Sequence, residues 1–161
     1  MKIIGIDPGY DRLGVAVIEK DKSKNKETLL YSDCLQTSIK NQIHKRLLLL
    51  GTEISKILDR FSPDVMAIES LFVAKNQKTA MRVSEAKGIV AYEATKRNIP
   101  IFEYSPMQIK MAITGNGKSD KQMIEKMIGL LINIPKNKKL DDELDAIAVA
   151  LAFEDKKIIP R

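Results

Sequence analysis

The chain of 161 residues carries one cysteine, Cys34, and one histidine, His44. A lone thiol makes no disulfide within the chain, so burial must hold the fold together, and Cys34, in a strand-like stretch, reads as packing. A lone imidazole without a second soft ligand is a poor start for a zinc site, and His44 reads as a helix-surface or packing residue. No apolar run approaches the ~20 residues that span a bilayer. The opening Met1-Lys2-Ile3-Ile4-Gly5-Ile6 meets Asp7 and Pro8 too early for a secretory signal, so a cytoplasmic location is expected. Internal repeats and low-complexity segments are also absent. The basic stretch from Pro135 to Leu140 is too short to join independent modules, and a single domain over residues 1–161 is expected.

What is present is ordinary for a globular protein: 44% apolar and 30% charged residues. The net charge of +6, from 27 Lys and Arg against 21 Asp and Glu, favours a polyanionic partner. The surplus gathers late. Between Pro106 and Leu140, Lys110, Lys118, Lys121, Lys126, Lys136, Lys138 and Lys139 face only Asp120 and Glu125, a candidate phosphate-binding surface.

Apolar, β-branched runs predict strands over Ile3 to Asp7, Leu13 to Glu19 and Thr28 to Gln36, joined by the Pro8-Gly9 turn and a charged hairpin loop. Connections this short make the three antiparallel. Ile43, Leu47, Leu50, Ile54, Ile57 and Phe61 then recur at steps of three and four, predicting a helix from near Ser38 to Phe61. A short strand from Val65 to Ile68 delivers Glu69, a second helix runs from about Gln77 to Asn98, and Ile101 to Tyr104 is a fifth strand. Ser105-Pro106 caps a short helix, and Ser119-Asp120-Lys121-Gln122 has the pattern of a capping box opening another. The last helix is expected from about Asp141 to Asp155, with Leu144, Ile147, Ala148 and Leu151 on one face. The fold class is therefore α/β, a five-stranded mixed sheet, three antiparallel strands and then two parallel, flanked by helices. Met107, Met111, Met123 and Met127, at helical spacing, read as core filling.

Four carboxylates break this pattern. Asp7 and Glu69 each end an apolar strand, where an unpaired carboxylate is costly and wants a cation or donors. If those strands are parallel neighbours, the two acids stand side by side at the sheet edge where α/β folds hold ligands. Asp142 and Asp145, three apart on the last helix, project to one side. Taken singly, Asp7 before Pro-Gly is a turn residue and the helix pair are acids favouring the dipole. Taken together, four hard oxygen donors suit Mg²⁺ or Mn²⁺, and two such ions can activate water and neutralise a phosphate between them.

With these residues in hand, the sequence resembles the RuvC family of Holliday-junction resolvases over nearly its whole length. Gly5-Ile6-Asp7-Pro8-Gly9 is similar to the family's first acidic strand, a motif shared with other ribonuclease-H-like and actin-like proteins. The segment Ile68-Glu69-Ser70-Leu71-Phe72-Val73-Ala74-Lys75-Asn76 is more specific. Phe102-Glu103-Tyr104, the Gly115-Asn116-Gly117 loop with Lys121, and Asp142-Glu143-Leu144-Asp145-Ala146-Ile147-Ala148 follow in family order. The resemblance implies a ribonuclease-H-like fold and a Mg²⁺-dependent endonuclease cutting four-way DNA junctions by paired symmetric hydrolysis. It implies that Asp7, Glu69, Asp142 and Asp145 bind the metals, with Mn²⁺ able to substitute. Phe72, Lys75, Lys110, Lys118 and Lys121 are read as DNA-contacting, the lysines on backbone phosphates and Phe72 as a stacking platform. Some relatives place His at the position of Asp142, so proton transfer is an alternative role there, and Asp141 an alternative donor. The resemblance also implies a homodimer, suited to two opposed cuts, and association with the RuvA and RuvB branch-migration proteins. Ala80, Ser84, Gly88 and Ala91 form a small-residue strip that fits either an interface or tight packing on the sheet. Two rivals remain: a ribonuclease-H-like nuclease acting on RNA, hybrids or repair intermediates, and a non-catalytic DNA-binding module built on the lysine-rich third.

Overall fold

Alternation along the first strand decides what each face of the sheet must meet. The computed structural model describes residues 1–21, 23, 26–71, 77–134 and 141–154. Strand β1 (Lys2–Asp7) pairs antiparallel with β2 (Arg12–Asp21), which pairs antiparallel with β3 (Lys26–Gln36). On its other side β1 runs parallel to β4 (Val65–Glu69), and β4 parallel to β5 (Ile101–Tyr104), giving the order β3-β2-β1-β4-β5. The expected mixed sheet is thus present. The remaining elements are helices α1 (Ile43–Phe61), α2 (Gln77–Thr95), α3 (Pro106–Thr114), α4 (Lys121–Leu131) and α5 (Asp141–Ala152). None of the described helices is long and apolar enough to cross a membrane.

Successive strand residues point to opposite faces, and the core divides accordingly. Ile4, Ile6, Val15, Val17, Met66 and Ile68 pack with α1 and α2, burying Leu50, Ile54, Leu58, Ala86 and Val90. Ile3, Ala16, Ile18, Val65 and Ala67 pack on the other face with α3, α4 and α5. Each fully buried isoleucine contributes roughly 1.5–3 kcal/mol, so both layers are needed. Helix α5 differs from the one-faced stripe expected of it: every residue from Ala146 to Ala152 is buried. It lies between the sheet and α3, and its alanines let it lie close against the strands.

Helix boundaries correct several expectations. Helix α1 starts at Ile43, because the Ser38 hydroxyl accepts from the Lys40 amide and Asn41 N–H bonds the Ser38 carbonyl, closing a separate turn first. Helix α2 ends at Thr95, and Asn98, at φ 57°, lies in the turn beyond it. The predicted cap of α3 is present in full: Ser105 and Gln108 bond each other's backbone. The cap of α4 is Asp120, one residue later than expected, since the buried Ser119 hydroxyl is bonded to Thr114 at 2.7 Å. Helix α5 stops at Ala152, with Phe153 buried beyond it. Met107, Met111 and Met123 are exposed, against expectation, because Ile109 and Ile113 take the core side of α3 and Ile128 that of α4; only Met127 packs on the core. Cys34 is buried and His44 exposed on α1, as read from sequence.

A buried arginine ties the turn after β1 to the helical layer. Arg46 of α1 donates from Nε to the Thr37 hydroxyl at 2.8 Å and from Nη2 to the Tyr10 carbonyl at 3.0 Å, and it pairs with Asp11. Its guanidinium also stacks 4.7 Å from the Tyr10 ring centroid. Arg46→Ala is expected to cost about 2–3 kcal/mol, from lost charge-assisted bonds and lost packing. Lysine at this position should recover little of it, because the contacts use a planar fork. Urea unfolding of the three proteins is the check.

Candidate active site

The parity that builds the core also aims the acids. Asp7 follows Gly5 and Ile3 on the α5 face of β1, and Glu69 follows Ala67 and Val65 on the same face of β4. Because Ile6 pairs with Ile68 in a parallel register, the next residues, Asp7 and Glu69, end adjacent strands side by side. Helix α5 then crosses this edge with its first turn. What brings it close is glycine. A Cβ on Gly5 would stand 2.6 Å from the Ala150 amide nitrogen, and one on Gly14 would stand 2.7 Å from the Asp142 carbonyl carbon and 3.2 Å from Asp7 Cβ. Asp7 and the start of α5 therefore meet over Gly14.

Each acid of that first turn is held by a different element. Lys121, opening α4, pairs with Asp141 at 3.0 Å and reaches Asp145 at 3.9 Å. Arg12, opening β2, pairs with Asp142, and the Ser32 hydroxyl of β3 donates to Glu143 at 2.9 Å. Three acids at a helix start also favour its dipole, so these residues stabilise α5 whatever else they do.

The charges of Glu69, Asp142 and Asp145 all reach Asp7. Burial, reinforced by the charges of Glu69, Asp145 and Asp142 and partly offset by Lys121, pushes Asp7 up to about 7. Burial and the Asp145 charge raise Glu69, against the pull of Lys110. Burial raises Asp145 too, against the pull of Lys121. Such a cluster asks for cations. As they stand, no three acidic, His or Cys side chains among the described residues close on one point at ion-holding spacing. The donor set nonetheless fits a hard divalent ion: all four are carboxylates, and Asp142 Oδ2 is shut off from solvent without a well-directed hydrogen bond.

Lys110 joins Glu69, Ile109, Ile124 and Asp145 around a shallow hollow of about 150 Å³. A larger cleft of about 510 Å³, bordered by Glu27, Leu29 and Leu130, lies away from the acids. A shallow, open shelf suits a polymer laid across the surface better than an enclosed small molecule. Lys118 is exposed in the loop before α4, and Lys126 is exposed on α4 itself. Phe72, Lys75, Lys136, Lys138 and Lys139 lie outside the described residues. Arg12 and Gly14 were not singled out from sequence. A glycine within an apolar strand run was the available signal for the second; nothing marked the first.

The comparisons agree with this geometry. The profile described as crossover junction endodeoxyribonuclease RuvC matches residues 3–153. A crossover junction endodeoxyribonuclease RuvC of Thermosipho melanesiensis is 45% identical over 150 residues, 93% of this chain and 94% of its own. That of Petrotoga mobilis is 40% identical over 150 residues, 93% of this chain and 91% of its own. The structure of Thermus thermophilus RuvC in complex with a Holliday junction substrate superposes with a TM-score of 0.87 at 29% identity, covering 94% of this chain and 92% of that one. With the profile spanning the sheet, both acidic strand ends and α5, the chain belongs to the RuvC family of crossover junction endodeoxyribonucleases.

Proposed function

We propose that this protein resolves four-way DNA junctions by metal-dependent, paired symmetric hydrolysis of phosphodiesters near the crossover, leaving 5′ phosphate and 3′ hydroxyl ends. The observation that carries the reading is the meeting of Asp7, Glu69, Asp142 and Asp145, drawn from β1, β4 and α5, at one open edge of the sheet in a chain of this family. These four would hold the ions, Mg²⁺ in the first instance and Mn²⁺ as a substitute, two per site. When bound, such ions stabilise charge on the phosphoryl group and favour deprotonation of the attacking water. The protein's own part is placement. Asp7 and Glu69 are fixed by strands, Asp142 and Asp145 by a buried helix, so the donors sit on rigid elements. Asp142 takes the ligand role over Asp141, since its carboxylate is the shielded one while Asp141 lies exposed and paired with Lys121.

Lys110 and Lys121 flank the acids and, with Lys118 in the loop before α4, supply phosphate contacts that carry no sequence information; Phe72 and Lys75 are assigned to the DNA on the family motif alone. The whole chain acts as one nuclease domain. A homodimer is the working assembly. In support, Ser84 and Gly88 of the α2 strip are exposed and a Cβ on Gly88 would meet nothing within 4 Å, so the middle of the strip is open to a partner. Association with RuvA and RuvB rests on family membership alone.

The test offers a labelled mobile four-way junction and a linear duplex of the same sequence, with Mg²⁺ or EDTA. Expected are opposed nicks in the junction alone, only with metal, whose ends ligase can seal. Junction binding without cutting across several sequences, in Mg²⁺ and in Mn²⁺, would leave the binding-module reading in its place.

A further inference from the structure

Arg12 is neither one of the four acids nor one of the lysines assigned to phosphate, yet it touches the proposed site. It is the first residue of β2 and shares the α5 face with Gly14, Ala16 and Ile18, by the two-residue period of the strand. Gly14 admits the backbone of Asp142, and the longer side chain one step earlier reaches its carboxylate. The Arg12 side chain is 47% exposed and that of Asp142 22%, so a guanidinium rooted in solvent leans inward on a shielded acid. The Cys34 thiol lies against both groups, and between Arg12 and Asp142 themselves the contact is chiefly one of charge. Asp142 Oδ2 is closed to water but receives no well-directed hydrogen bond, even with the guanidinium against it. A pair of this kind neutralises without locking, because an ion pair with one partner rooted in solvent and without good geometry contributes little and releases easily. Arginine keeps its charge at every working pH, so the neutralisation is permanent until something replaces it. The other cations near the acids are differently engaged: Lys121 pairs with Asp141 and reaches Asp145, and Lys110 acts on Glu69.

We infer that Arg12 is the resident counter-ion of Asp142, a built-in competitor that a divalent ion must displace from that carboxylate, and that it thereby sets the metal affinity of the site. This rests on the metal-site reading given above. Its physical content is a difference. With the guanidinium gone the four acids lose a neutralising charge, so their pull on a dication strengthens while the metal-free protein becomes less stable. A residue that merely held Asp142 in position would act in the opposite direction, its loss weakening metal binding.

The test titrates Mn²⁺ alone into the full chain, without DNA, by calorimetry and by the rise in melting temperature. Arg12→Gln is expected to bind Mn²⁺ roughly three- to tenfold more tightly than the parent, the size of one partly screened charge interaction. Arg12→Lys, which keeps the charge, is expected to stay near the parent. In an Asp142→Asn background the Arg12→Gln gain should vanish, since the cycle isolates the pair. Equal or weaker binding by folded Arg12→Gln, or a gain that survives in the Asp142→Asn background, overturns the inference and leaves the site reading intact. A parent protein that binds no Mn²⁺ overturns both.

Discussion

Asp7→Asn protein is expected to bind junctions as the parent does, to cut them at least ~10³-fold more slowly, and to be the more stable of the two at pH 8 in EDTA. The last effect follows from where the carboxyl sits. Burial and three neighbouring carboxylates raise Asp7 to about 7 from an ordinary 3.8. A group raised on folding contributes stability that is complete below its unfolded pKa and is lost as pH climbs through its folded one. Between about pH 4 and pH 7 the unfolded chain releases this proton while the folded chain keeps it. At ~1.36 kcal/mol for each pH unit the loss approaches roughly 4 kcal/mol by pH 8, and partial exposure of the group trims it to about 2–4. Asparagine has the same shape and no proton to release, so the advantage of the variant should widen across that window. Saturating Mg²⁺ should shrink or reverse it, because an ion bound only by the folded parent stabilises that protein. Melting temperatures of the two proteins from pH 4 to 8, in EDTA and in Mg²⁺, are the measurement. A constant gap across pH in EDTA would show that Asp7 does not bear the cost of clustering. Glu69 and Asp145 are raised in the same direction, so the corresponding amides should follow the pattern.

How much of this site was legible beforehand depends on which physical signal carried each part. Strands with a strict two-residue apolar period announce themselves, and their parity decides which face Asp7 and Glu69 join; the order of short connections made β1, β2 and β3 antiparallel without further input. The spacing of Asp142 and Asp145 on a helix was equally plain. What stayed hidden was how that helix reaches the strands. Leu144, Ile147, Ala148 and Leu151 draw the eye to one side of α5, whereas Ala146, Ala150 and Ala152, also buried, are what let it lie against β1 and β2. A stripe of large residues is visible in a sequence, and the fit of small ones against a particular backbone is not. The methionines of α3 and α4 misled for a related reason, since helical spacing alone does not say which face meets the core. Ser38 misled locally, by offering its hydroxyl to a turn instead of a helix start. Arg12 and Arg46 could be found only from the fold, because both act across elements far apart in sequence.

Gly14→Ala should damage cleavage more than it damages the fold. The new methyl carbon would stand 2.7 Å from the carbonyl carbon of Asp142, closer still to its oxygen, and 3.2 Å from Asp7 Cβ. These are contacts with backbone on one side and a strand-borne Cβ on the other, so no rotamer change relieves them. The first turn of α5 must move away from β2, or β2 must bend. Overpacking of this kind costs about 1–3 kcal/mol, which a two-layered core of this size tolerates. The shift falls where it matters most, since displacing Asp142 relative to Asp7 by about 1 Å opens the donor set, and misplacements of that size cost on the order of 10²-fold in rate. Mn²⁺ binding by the variant should weaken in step. Gly129→Ala is the matched control: it is exposed on α4, a Cβ there would meet nothing within 4 Å, and alanine in a helix interior should gain about 0.5–1 kcal/mol with cleavage unchanged. Circular dichroism and thermal unfolding report the fold, a junction-cleavage time course the rate. If Gly14→Ala melts several degrees lower yet cuts and binds Mn²⁺ as the parent does, the approach of α5 to β2 serves packing alone, and the acids must be held in register by the sheet edge and the ion pairs of the first turn.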